Sequence, residues 1–183
     1  MPRLTQRLGF TRFEADEHYQ QALTHYAKRK VNDAILSMEL AIELLPTNAE
    51  YYAARGFFYL EDGVDKKAAV DFEKALQLHP YEMMAHYGQG IIAYKAKKWD
   101  EAQEHFVNAY HANPERPETL YYLALTHHHK GENSPALAYM QQAQVLFEAG
   151  GDKRKSQTGR WVKQLLKLVK QEQLPPGKTK GKK

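Results

Sequence analysis

Small and apolar residues recur along this chain at a fixed spacing. Four alanines stand 34 residues apart, and each is followed four positions later by a bulky apolar residue. The alanines are Ala34, Ala68, Ala102 and Ala136, and the bulky residues are Met38, Phe72, Phe106 and Met140. The prolines Pro46, Pro80 and Pro114 keep the same period. Self-similarity at such a period is typical of repeat proteins, in which small units stack on their neighbours.

The polar and apolar pattern within each unit predicts two helices joined by a short turn. The predicted helices span 15–29 and 31–45, 49–62 and 65–79, 83–97 and 99–113, and 117–130 and 133–148. Because no segment alternates with the period of a strand, we expect an all-α fold, an α-solenoid of four helical hairpins. A column of small residues lies inside the first helices, where a neighbouring helix can approach closely; its members are Ala22, Gly56, Gly90 and Ala124.

The pattern changes after Gly150 and Gly151. Residues 152–172 predict one more helix, whose large apolar residues recur at helical spacing: Trp161, Val162, Leu165, Leu166, Leu168 and Val169. We therefore divide the chain into a lead-in segment at 1–14, four repeats at 15–48, 49–82, 83–116 and 117–150, a basic amphipathic capping helix at 151–173, and a basic tail at 174–183 that we expect to be disordered.

The repeated residues resemble the tetratricopeptide repeat (TPR). The second unit carries Tyr52, Gly56, Tyr59, Ala68, Phe72, Ala75 and Pro80, and the third carries Gly90, Ala102, Phe106, Ala109 and Pro114. The resemblance covers roughly residues 15–150, and it is specific for the fold. Arg55 and Gln89 depart from it, because they stand where the repeat usually has leucine. The resemblance implies TPR-like hairpins that present a surface to a partner.

Composition narrows the chemistry. The chain has no cysteine, so thiolate catalysis, thiolate metal sites and disulfides are excluded. No phosphate-binding glycine loop or nucleophile elbow occurs, and the consecutive His127, His128 and His129 would point in three directions from a helix. We therefore expect no enzyme activity, no metal and no cofactor. Neither a membrane-spanning run of about 18 apolar residues nor a secretory signal is evident, and we expect a cytoplasmic protein.

The net charge of +4 hides a division along the chain. Residues 151–183 hold 11 basic and two acidic residues, a net charge of +9, whereas residues 1–150 hold 15 basic and 20 acidic residues, a net charge of −5. A mildly acidic repeat array therefore precedes a strongly basic C-terminal segment.

The TPR resemblance implies that the first helices of the units form a concave binding face. Tyr19, Leu23 and Tyr26 would form one stripe on it, and Tyr87, Ile91 and Tyr94 would repeat that stripe. The leading hypothesis is a non-catalytic adaptor or scaffold that binds a peptide or helix of a partner protein there. The candidate residues are Tyr19, Leu23, Tyr26, Phe57, Leu60, Met84, Tyr87, Ile91, Tyr94, Lys95, Tyr121, Leu125 and His128. The alternative for these side chains is that they pack first helices against each other.

One group of TPR proteins grips C-terminal carboxylates with basic and amide side chains on this face. The matching columns here hold Tyr19, Leu23, Ala54, Met84 and Gly88, so that clamp is absent. A more apolar partner segment is favoured over a carboxylate-terminated one.

The basic C-terminal helix supports a second hypothesis. Its apolar residues would most simply cap the fourth unit, while its lysines could contact nucleic acid or an acidic membrane. The candidates for an anionic surface are Arg160, Lys163, Lys167, Lys170, Lys178, Lys180, Lys182 and Lys183. Self-association of the chain is a third option.

Overall fold

The computed structural model describes residues 10–173, which contain nine helices and no strand. In chain order the helices are α1 (Phe10–Ala27), α2 (Val31–Leu44), α3 (Ala49–Glu61), α4 (Asp65–Leu78), α5 (Met83–Lys95), α6 (Trp99–Ala112), α7 (Pro117–His129), α8 (Asn133–Ala149) and α9 (Lys155–Glu172). The tail at 174–183 and most of the lead-in segment lie outside the described residues.

The helices belong to two compact units, which divide between Ala96 and Lys97. In the first unit α1 packs on α2, α2 on α3, and α3 on α4, and α5 contacts both α3 and α4. In the second unit α6 packs on α7, α7 packs on α8, and α9 packs on α8. Each unit is therefore built from helices that contact their neighbours in sequence.

The first helix begins earlier than the sequence predicted. It starts at Phe10 rather than at residue 15, so the end of the predicted lead-in segment is helical. Residues 10–14 contain neither glycine nor proline, Thr11 is buried, and Ala15 belongs to the apolar core of the first unit. The extra turn of helix thus follows from an uninterrupted sequence and from apolar contact that the repeat period alone did not reveal.

The periodic apolar residues form the cores of the two units. All four alanines of the first column and all four bulky residues that follow them have no solvent exposure. Phe72 shows why the neighbouring helices need small residues: a Cβ atom added to Gly56 would lie 2.8 Å from its ring, and one added to Gly88 would lie 2.1 Å from it. Both distances are far below van der Waals contact, so the ring fills the space that two missing side chains leave.

The turns inside the hairpins share one backbone conformation. A residue with positive φ ends the first helix of each hairpin, and these residues stand 34 positions apart: Arg29 (61°), Gly63 (79°), Lys97 (59°) and Gly131 (79°). In the second hairpin the N–H of Val64 donates to the carbonyl of Tyr59 at 2.8 Å, and the N–H of Gly63 donates to that of Leu60 at 3.2 Å. This is the Schellman arrangement, which satisfies carbonyls at the end of a helix.

Candidate partner-binding groove

An open groove lies in the first unit, between α1, α3 and the start of α5. Its volume is about 320 Å³, and most of its lining is apolar. Five of the residues that the sequence predicted to bind a partner lie together here: Tyr19, Leu23, Tyr26, Phe57 and Met84. The remaining lining residues are Glu50, Ala53, Ala54, Phe58, Glu82 and Met83.

Aromatic packing fixes the walls of the groove. The ring of Tyr26 stacks on Phe58 with centroids 4.9 Å apart and meets the edge of Phe57 at 5.9 Å. The ring of Tyr19 lies 5.3 Å from that of Tyr51. Rings held in this way lose little further conformational freedom when a partner binds, so the surface is preformed. Leu23 is 37% exposed between the two tyrosines, which leaves an apolar side chain open to solvent.

Three tyrosine hydroxyls near the groove donate hydrogen bonds to carboxylates. The hydroxyl of Tyr19 donates to Oε1 of Glu50 at 2.7 Å, and that of Tyr26 donates to Oε2 of Glu61 at 3.4 Å. Burial and the nearby Glu50 carboxylate raise the pKa of Tyr19 well above its usual range. Tyr51 donates to Oδ1 of Asp16 at 2.5 Å, and burial together with this bond raises its pKa to about 12. The three phenols therefore stay neutral, and the negative charge at the groove belongs to the carboxylates.

Glu82 stands at the N-terminus of α5, and its carboxylate lines the groove. Its Oε2 accepts the backbone N–H of Ala85 at 2.5 Å, which caps the helix. Burial raises the pKa of Glu82, and the negative charge of Glu50 acts in the same direction. None of the residues that line the groove is basic.

Arg55 on α3 points away from the groove. Its guanidinium makes two hydrogen bonds to the Asp71 carboxylate on α4, from Nε at 2.8 Å and from Nη2 at 2.7 Å. Asp71 is buried, so the ion pair between Arg55 and Asp71 joins α3 and α4 within the hairpin. The departure from leucine at this position is thus explained by a partner on the other helix, and the arginine is not available to a ligand in the groove.

Other predicted binding residues lie elsewhere in the first unit. Leu60, Tyr87 and Ile91 are each no more than 8% exposed, so they offer little surface, and Tyr94 is half-buried. Lys95 is exposed, and its Nζ lies 2.8 Å from Oδ1 of Asp65. The stripe of Tyr87, Ile91 and Tyr94 therefore differs from its counterpart on α1, because most of it is core.

In the second unit α9 lies against predicted binding residues of α7. The amide of Gln157 donates to the hydroxyl of Tyr121 at 2.8 Å, and the Trp161 ring lies 5.5 Å from His128. Leu125 is buried. The predicted residues Tyr121, Leu125 and His128 thus lie in a region that this chain itself covers. Of the six large apolar residues of α9, Leu165 is fully buried, Leu166 is 37% exposed, and the other four are half-buried. The helix packs mainly on α8.

The polar side of α9 is open. Leu165 is fully buried, whereas Arg160, Lys163, Lys167 and Lys170 are exposed. The predicted anionic-surface residues Lys178, Lys180, Lys182 and Lys183 lie outside the described residues. Within residues 10–173, the structure contains no helix with the length and apolar character needed to cross a membrane.

The three consecutive histidines have separate environments. Nδ1 of His127 lies 2.5 Å from Oε2 of Glu132, and Nδ1 of His128 lies 2.7 Å from Oδ1 of Asn133. The ring of His129 stacks on Trp99 with centroids 4.3 Å apart. Each ring is therefore engaged in its own packing or polar contact.

Sequence reasoning missed the part played by Glu82 and Met83. Glu82 stands 34 residues after Asn48, whose side chain caps α3, so the period marked both positions as helix starts. The period therefore indicates Glu82 as a cap, but it does not indicate that its carboxylate lines the groove.

Fold and groove together define a helical-repeat protein with a preformed apolar groove. Residues 87–152 match the family model of the tetratricopeptide repeat. The chain is 33% identical over 86 residues to the tetratricopeptide repeat and J domain-containing co-chaperone DNJ1 of Fusarium oxysporum f. sp. lycopersici, a match that covers 47% of this chain. The chain spans only 16% of the length of that relative.

Solved structures show the same fold. Pseudomonas aeruginosa pilF superposes with a TM-score of 0.66 at 18% identity, covering 90% of this chain and 79% of that one. The first TPR of Spaghetti (RPAP3), bound to the HSP90 peptide SRMEEVD, superposes with a TM-score of 0.61 at 17% identity, covering 64% of this chain and 95% of that one. The predicted TPR resemblance and the predicted all-α solenoid fold class are confirmed.

Proposed function

We propose that this protein is a non-catalytic adaptor that binds a peptide or helix of a partner protein in the groove of its first unit. The observation that supports this most directly is the exposed Leu23 between two tyrosines whose rings are already fixed by packing. Preformed, partly exposed apolar surfaces of this kind are typical of sites that receive the anchor side chains of a partner.

The proposal narrows the predicted site to the residues that the groove brings together. Tyr19, Leu23, Tyr26, Phe57 and Met84 would make the contacts, with Glu50 and Glu82 at the polar side. The residues of α7 are not included, because α9 lies against them. A cytoplasmic location is consistent with this function and stays a prediction.

The partner class differs from the ligand of one structural neighbour. The HSP90 peptide bound to the first TPR of Spaghetti has the sequence SRMEEVD, which carries three acidic side chains. Here the groove is lined by two carboxylates and by no basic residue, so an acidic peptide would meet like charge. We therefore propose a partner segment that binds through apolar side chains.

Peptide selection on the full chain tests this function. A displayed library of random 16-residue peptides would be selected against the purified protein, and the affinity of the best peptide would be measured by fluorescence anisotropy. Leu23→Gln keeps the size of the side chain but removes its apolar character, and we expect it to weaken binding by about tenfold, because one buried anchor contributes roughly 1.5–3 kcal/mol.

Leu36→Gln is the matched control. Leu36 is 59% exposed on α2, does not line the groove, and receives the same chemical change. We expect this variant to bind within about twofold of the unchanged protein. Equal affinity of the Leu23→Gln variant and the unchanged protein would show that the groove is not the binding site.

The anionic-surface hypothesis stays a prediction for the lysine side of α9. Insertion of its apolar side into a lipid surface is not proposed, because Leu165 is fully buried and Trp161 packs beside His128.

A further inference from the structure

Two carboxylates lie at one end of the groove. Glu50 and Glu82 line it together, and both also line a second, more polar cavity of about 540 Å³ beside it. The Glu50 carboxylate accepts a hydrogen bond from the hydroxyl of Tyr19, and the Glu82 carboxylate accepts backbone hydrogen bonds at the start of α5, including that from Ala85. A carboxylate group has about four acceptor positions, so both retain acceptor capacity for a ligand.

The negative charge of this pair is not offset by a basic residue lining the groove in the part of the chain that the structure describes. Within residues 10–173 neither Glu50 nor Glu82 forms an ion pair with a lysine or arginine. The one arginine of α3, Arg55, is paired with Asp71 inside its own hairpin. His79 lines the second cavity but not the groove. As far as the described residues extend, the groove therefore combines an apolar floor with two carboxylates that have no lysine or arginine partner.

We infer that the groove binds a partner segment that presents a lysine or arginine side chain next to apolar ones, an inference that rests on the function proposed above. The apolar side chains of the partner lie against Leu23, Tyr26 and Phe57, and its cationic group lies between Glu50 and Glu82. Charge complementarity of this kind selects the partner and excludes acidic segments, because like charges brought together in a partly buried site are costly.

The composition of the selected peptides tests the inference. We expect sequences recovered from the random library to be enriched in lysine or arginine flanked by aromatic or aliphatic residues, and depleted in aspartate and glutamate. The selection would be repeated with the double variant Glu50→Gln and Glu82→Gln. A glutamine oxygen can still accept from Tyr19 and from Ala85, so this variant removes the charge and keeps the hydrogen bonds.

The double variant should weaken the best basic peptide by about tenfold or more, and it should reduce the dependence of affinity on salt. The matched control is Glu43→Gln with Glu73→Gln, which removes two exposed carboxylates of the same unit that do not line the groove. We expect the control to bind within about twofold of the unchanged protein.

The outcomes separate the inference from the proposed function. If the selected peptides depend on Leu23 but are neutral or acidic, the groove binds a partner and the inferred charge is wrong. If basic peptides are selected but bind the double variant and the control equally well, the carboxylate pair does not recognise them, and the inference is also overturned. If every selected peptide binds the Leu23→Gln variant as tightly as the unchanged protein, the groove is not the binding site and the proposed function itself is wrong.

Discussion

The absence of a side chain at Gly88 makes room for the buried ring of Phe72. Phe72 is fully buried, and its ring lies between Gly56 on one side and Gly88 on the other. An alanine at 88 would place its Cβ 2.1 Å from Cζ of that ring. The ring also packs so closely against Gly56 that an added Cβ there would lie 2.8 Å from it, so it has little room to shift in that direction.

We therefore predict that Gly88→Ala lowers the free energy of unfolding by about 1–3 kcal/mol, because overpacking of the core outweighs the gain in helix propensity. Urea denaturation followed by circular dichroism measures this. Gly159→Ala in α9 is the matched control: its Cβ would lie 3.6 Å from Nε2 of Gln144, an ordinary contact. The control should leave stability unchanged or raise it by up to about 1 kcal/mol. Similar behaviour of the two variants would contradict the close packing at Gly88.

Residue-scale chemistry was only partly visible in the sequence. The period identified the small column and the buried alanines, because every copy repeats them. It did not identify the bond between Arg55 and Asp71, since the two stand 16 positions apart and neither follows from the repeat. It also did not single out Gly88 as a packing position. Pairs that occur in one copy only are set by local packing, which the period does not record.

At the scale of the helices, the hairpin turns were predicted in position but not in conformation. A glycine marks the turn in the second and fourth hairpins, whereas the first has Arg29 and the third has Lys97. All four adopt positive φ, which costs a residue with a Cβ atom about 1–2 kcal/mol. The same turn is therefore strained in two hairpins and relaxed in two, although all four share one geometry.

This difference can be tested by substitutions at two of these four turn positions, one occupied by arginine and one by glycine. Arg29→Gly should raise the free energy of unfolding by about 1 kcal/mol, because glycine removes the strain at positive φ. Gly63→Ala should lower it by about 1 kcal/mol for the same reason, and nothing within 4 Å obstructs the added atom. Thermal and urea unfolding measure both changes.

Arg29→Ala separates backbone strain from the lost side chain. Arg29 is exposed, so its replacement by alanine should change stability by less than about 0.5 kcal/mol. If Arg29→Ala and Arg29→Gly have the same effect, the backbone conformation is not the cause.

At the scale of the whole molecule, the two units use the first helices of their hairpins differently. In the first unit the stripe on α1 borders an open groove, whereas in the second the stripe on α7 is covered by α9. The sequence predicted both an aromatic stripe and an amphipathic basic capping helix, and it left open whether that helix also binds a partner. It did not show that α9 contacts the predicted binding residues Tyr121 and His128 of α7, because that depends on the side of the hairpin on which α9 lies.

Arg154 holds α9 in its place. Its Nη2 donates to Oε1 of Glu118 on α7 at 2.6 Å and to Oδ2 of Asp152 at 2.7 Å, and its guanidinium lies 4.4 Å from the ring centroid of Phe147 on α8. The arginine lowers the pKa of Asp152 to about 2. This carboxylate therefore stays ionised in the folded protein above that pH, and its stabilising contact is lost only as the pH falls from about 4 through 2.

We predict that Arg154→Ala loosens α9 without unfolding the rest of the protein. Amide hydrogen exchange of residues 155–172 should become faster at neutral pH, because α9 loses one contact to each of the helices that it covers, while exchange in α1 to α5 should stay unchanged. Lys153→Ala is the matched control, since Lys153 is exposed one position earlier, and it should leave the exchange of α9 as it was. Unchanged exchange of residues 155–172 in the Arg154→Ala variant would mean that the buried Leu165 and its apolar neighbours hold the helix by themselves.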